Sequence, residues 1–193
     1  MSPNASGADR RASADQGRDV GETAGVMFAT GPGYEAPAWE SFAVAEVGAA
    51  AALAGLLVVA ASINIARIIE LPSVVSRLGG TLALFTGVLA VGTELLVPGV
   101  ERRLLGAAIA VTGAAVAVIL VRLRGVENAQ VEYRRPSLVV AVVAVAAALF
   151  LAVAGVSYAA GAGGGLYWLA PGVLLAFGSG LVNAWVALVE ILR

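Results

Sequence analysis

Five stretches of the chain are long and apolar enough to cross a bilayer, at 47–66, 78–97, 104–121, 138–158 and 171–189. At about 1.5 Å per residue, a helix of about twenty residues crosses about 30 Å of hydrocarbon. The stretches are separated by helix-stop signals: Pro72, the pair Pro98-Gly99, an arginine-bearing segment ending at Pro136, and a glycine-rich turn at Gly161, Gly163, Gly164 and Gly165. Pro171 then suits the first turn of the fifth helix. The connections are short, so neighbouring spans are expected to alternate in direction. The pattern predicts an all-α integral membrane bundle of five transmembrane helices with up-down topology. Residues 1–37 carry no apolar periodicity and read as a disordered polar tail; residues 38–193 form the membrane domain. No hydrophobic core of a signal peptide follows Arg10 and Arg11.

The polar positions inside the spans add a second layer. At the head and near the end of the first span, Glu46 and Asn64 lie eighteen residues apart, about five helical turns, and so project from one side. The opposite side carries Gly48, Ala52, Gly55 and Ser62, a small-residue track on which another helix can approach closely. Two such faces predict that this helix is the organiser, enclosed by its own chain. In the fifth span, Gly172, Ala176, Ser179, Asn183 and Glu190 share a face. An Asn64–Asn183 amide pair, with Arg67 and Glu190 as an ion pair near the interface, is the expected lock, and a ligand or ion site the alternative. Gly80, Gly87 and Glu94 recur every seven residues and turn Glu94 towards a packed face. Glu94 is expected either to pair with Arg102 or Arg103, or to share a carboxylate site with Glu46. The fourth span has no polar side chain from Leu138 to Gly155 and is expected at the lipid-facing edge. Trp39 and Phe42 read as an interfacial anchor, and Trp185 as packing or anchoring.

Composition agrees: 60% of residues are hydrophobic and only 6% aromatic, with mean hydropathy +0.91. Ala, Val, Leu and Gly supply the apolar mass, which favours packed helices over a β-barrel with aromatic girdles. All twelve basic residues are arginine, and there is no His and no Cys. Disulfides, haem ligation through His or Cys, thiolate or imidazole metal sites and lysine Schiff bases are thereby excluded. No catalytic set, cofactor site or metal site is expected, and a net charge of −1 gives no field for nucleic acid. Arginines near the spans number seven on the side of the first loop, third loop and C-terminus, against two on the other. This predicts a cytoplasmic C-terminus and an N-terminus outside. The third loop, with four arginines, Glu127 and Glu132, reads as a topology signal or a docking surface for anionic lipid or a cytoplasmic partner.

The run Trp39…Phe42…Gly48 through Gly55 to Ser62-Ile-Asn64-Ile-Ala-Arg67, followed by Leu71-Pro72, Arg77, Thr81-Leu82 and Leu96-Val97-Pro98-Gly99, resembles a family of small bacterial membrane proteins. So does the ending Gly165-Leu-Tyr-Trp-Leu-Ala-Pro-Gly with Gly180-Leu-Val-Asn183-Ala-Trp185 and Glu190-Ile-Leu-Arg193. Some of that family carry the label "modulator of FtsH protease", FtsH being a membrane-anchored ATP-dependent protease. The resemblance implies a bacterial cell membrane location and action on a membrane protease, and transfers no catalytic residue. The arginine-only, Ala/Val/Gly-rich composition resembles proteins of a high-GC bacterium. The expected function is non-enzymatic regulation or scaffolding of another membrane protein. The alternative is a small oligomeric channel or transporter subunit. The bilayer, a membrane-protein partner and a second copy of the chain are the expected contacts. An intramembrane enzyme would need Ser or Glu chemistry without an evident base.

Overall fold

The computed structural model describes residues 31–128 and 135–191. The polar tail up to residue 30, the middle of the arginine-rich loop at 129–134 and the last two residues lie outside the described residues. Six α-helices and three 3-10 turns make up the fold, with no strand among the described residues. The helices are α1 (Glu40–Ile63), α2 (Ile65–Ile68), α3 (Pro72–Leu96), α4 (Arg102–Asn128), α5 (Arg135–Ala160) and α6 (Leu169–Ile191). All but the one-turn α2 are long and apolar enough to cross a membrane. The protein is a multi-pass α-helical membrane protein.

The helix ends differ from the hydropathy boundaries in an instructive way. The first helix starts at Glu40 because one charged residue near a helix end does not break it, and it stops at Ile63. Asn64 (φ −113°, ψ 18°) leaves the helical region there, and its side-chain amide donates to Ala60 O at 3.3 Å. Asn side chains compete with the backbone ladder in this way at helix ends. Pro72 occupies the opening turn of α3, where its missing N–H has no partner to lose. Residues 31–37, which the pattern assigns to the tail, are folded: the 3-10 turns Pro32–Tyr34 and Ala36–Trp39 lead into α1, and Gly33 and Tyr34 are buried. α4 and α5 also extend past the hydropathy limits, to Asn128 and back to Arg135, shortening the loop.

Packing corrects the expected arrangement. α3, α4, α5 and α6 pack in a closed ring, each against its chain neighbour and α6 back against α3. The first span lies outside this ring, applied chiefly to α3. Only 22% of its most apolar stretch is buried, against 50% for α3. It is therefore peripheral, and α3 is the central helix. The fourth span is likewise not at the edge: Ala141, Ala144, Ala147, Ala148, Leu151 and Ala154 of α5 are all buried. Its lack of polar groups reflects a seam made of small residues. A side chain added at Gly106 or Gly113 of α4 would collide with the α5 backbone at Gly155, Ala148 or Ala152, and one at Gly155 with Ala110. Backbones in van der Waals contact are how membrane helices associate where burial of apolar surface gives no net drive. Phe85, Leu84, Val88 and Val91 of α3 and Ile109 of α4 fill the space beside this seam.

Candidate functional site

α1 meets α3 through one stripe, Ala43, Glu46, Ala50 and Leu57, at helical spacing. Glu46 is only 3% exposed. Opposite it is Gly92, where an added Cβ would stand 2.9 Å from the Glu46 carboxyl and would overlap Val47. The glycine thus makes the recess that admits the acid. Both carboxyl oxygens are buried and have no hydrogen-bond partner, and burial with no charged neighbour defines the surroundings. An ionised carboxylate left unpaired in low dielectric costs several kcal/mol, so the position is not one that packing alone would select.

Glu94 is two residues beyond Gly92, about 200° around α3, and faces α4. Thr112 donates its hydroxyl proton to Glu94 Oε1 at 2.6 Å, and Oε2 is buried without a partner. Gly80 packs on Leu120 of α4 and Gly87 on Val116, so the seven-residue spacing does run along one seam. The two carboxyls therefore use different sides of α3. The shared carboxylate site is not formed, and neither is a Glu94 ion pair with Arg102 or Arg103, because Thr112 and burial claim both oxygens. Among the described residues no group of three side chains converges as a metal site would require.

The amide lock is not formed either. Asn64 donates within its own helix, Asn183 is half-buried on α6, and α1 touches α6 only marginally because α1 packs on α3. Arg67 is exposed on α2, and the side chain of Glu190 lies outside the described residues.

A second polar cluster closes the end of the bundle where α1 begins. The Tyr34 hydroxyl accepts the Gly164 N–H at 2.8 Å. Ser157 donates to Ala162 O and accepts the Gly165 N–H at 2.8 Å. Gly161, Gly163, Gly164 and Gly165 all have positive φ, the backbone region that side chains rarely adopt. Gly33 abuts this loop so closely that a Cβ on either Gly33 or Gly165 would strike the other strand of the contact. Trp39 donates to Pro32 O and Trp168 to Gly163 O, and Trp39 packs edge-on against both Phe42 and Tyr167. The anchor residues are thus also fasteners. Tyr34, Ser157 and Thr112 escape a sequence reading because nothing local names their partners. The one available signal is the density of glycines, which marks a loop approached by backbone.

These features define a class, a multi-pass helical membrane protein with a self-contained four-helix ring and an applied first helix. The chain matches no family model, no curated protein and no solved structure.

Proposed function

We propose that the protein is a non-enzymatic regulator or scaffold of another membrane protein in a bacterial cell membrane, and that it engages this partner through α1. One observation carries the reading. Gly48, Ala52 and Gly55 face outwards on α1, and apart from the neighbouring backbone of α1 itself no described atom lies within 4 Å of a Cβ built at Gly48 or Gly55. Small residues four apart let a second helix approach to backbone contact, and among the described residues no helix covers this face. The resemblance to proteins labelled as protease modulators makes a membrane-anchored protease the first partner to test. The arginine count favours an exterior N-terminus and a cytoplasmic C-terminus.

The experiment places a photocrosslinking amino acid at Ala52 in the cell, with Val111, exposed on α4, as control. A discrete heterologous adduct from position 52, absent from 111, is the expected result. No protein adduct at position 52 would overturn the reading. An adduct with only its own chain would favour an oligomeric channel or transporter subunit. That second reading draws on Glu46, since ionisable groups within membranes commonly line ion or proton pathways. It requires solute flux into proteoliposomes that Glu46→Gln abolishes.

A further inference from the structure

Where α1 begins, a hollow of about 560 Å³ opens between the first 3-10 turns, the turn joining α3 to α4 and the start of α4. Leu95 and Leu105, both buried, form its floor. Its rim carries Glu35 and Glu40 on one side and Arg102 on another, and the hydroxyl of the buried Tyr158 lies near the Arg102 guanidinium. Among the described residues Arg102 forms no ion pair with either acid. Opposite charges therefore line one cavity without neutralising each other.

Depth sets the chemistry. Three candidate spans begin at this end, at Ala36, Arg102 and Gly165, and two finish at it, at Leu96 and Ala160, so the rim stands at headgroup level and the floor at the first acyl carbons. Trp39 and Trp168 belong to the same end, as an interfacial aromatic belt would. The size falls within the range of small-molecule sites. A guanidinium suits a phosphate through paired N–H donors, and two carboxylates across the cavity suit a primary ammonium. We propose that this hollow binds one phospholipid with a zwitterionic phosphoethanolamine headgroup, the phosphate on Arg102 and the ammonium between Glu35 and Glu40. The glycerol then rests on Leu95 and Leu105, and the acyl chains run down the exposed flanks of α1 and α4. The proposal is independent of the partner reading, because the hollow and the α1 track involve different residues.

Native mass spectrometry of the full-length protein, released from a bilayer with equal phosphatidylethanolamine, phosphatidylglycerol and phosphatidylcholine, tests it. The expected result is one phosphatidylethanolamine retained per chain in preference to both others, since phosphatidylglycerol lacks the ammonium and choline lacks N–H donors. Arg102→Gln should lower that retention about tenfold, as should the double variant Glu35→Gln, Glu40→Gln, which should also bring phosphatidylglycerol to parity. All three side chains are exposed, so an unchanged unfolding midpoint serves as the check on folding, with Arg102→Lys retaining intermediate binding. Displacement by millimolar free phosphoethanolamine would support the same chemistry and assign a soluble source, and failure to displace assigns the lipid. Equal retention of phosphatidylglycerol by the unaltered protein, or unaltered retention by the variants, would overturn the proposal.

Discussion

The seam between α4 and α5 and the outer face of α1 are written in the same residues and meet opposite fates. Gly106, Gly113 and Gly155 are covered so closely that no side chain fits, whereas Gly48 and Gly55 have nothing near them. In a soluble protein both would count as weak helix positions. In a bilayer a glycine stripe is a demand for a neighbouring backbone. Among the described residues the chain meets that demand at α4–α5 and leaves it unmet on α1. Small-residue content therefore marks where helices can meet, and only the packing tells which meetings the chain makes alone.

The largest expected effect comes from filling the covered seam. Gly113→Leu or Gly155→Leu should destabilise the fold by at least about 3 kcal/mol, or prevent accumulation of folded protein, as read by unfolding in mixed micelles. Next, Thr112→Val leaves both oxygens of Glu94 without a donor and should cost about 1–3 kcal/mol in the same assay. Glu46→Leu should act in the other direction. It removes two buried oxygens that have no partner, and the change should be neutral or stabilising by up to about 3 kcal/mol. A large loss would mean that the carboxyl holds α1 in place. Tyr34→Phe removes the acceptor for the Gly164 N–H and should cost about 1 kcal/mol, with faster hydrogen exchange confined to that loop. The smallest effect belongs to the open track. Gly48→Leu with Gly55→Leu should shift stability by no more than about 0.5 kcal/mol each, since neither position touches another helix among the described residues.

Much of the fold was legible in the sequence, because the cost of an unpaired backbone in hydrocarbon forces helices and hydropathy measures their length directly. The five spans follow from that. Their arrangement does not, because lipid and protein interior are equally apolar and hydropathy is silent on which faces touch. Glu46 stands out in the sequence as an acid at the head of the first span, yet its companion is Gly92, whose contribution is an absence of atoms. The expected Asn64–Asn183 pair rested on two residues matching in depth. Asn64 instead ends α1 by bonding Ala60 O, a local competitor that any matching by depth overlooks. The Tyr34–Gly164 fastening joins residues 130 apart and has no local pattern at all.

The proposed function requires α1 to offer its uncovered small-residue track to another membrane protein. The yield of the heterologous photoadduct from position 52 in the cell, compared between the unaltered chain and the Gly48→Leu, Gly55→Leu double variant, tests this most directly. A loss of about tenfold or more, corresponding to about 1.4 kcal/mol of lost association, is predicted. An undiminished yield would contradict the account.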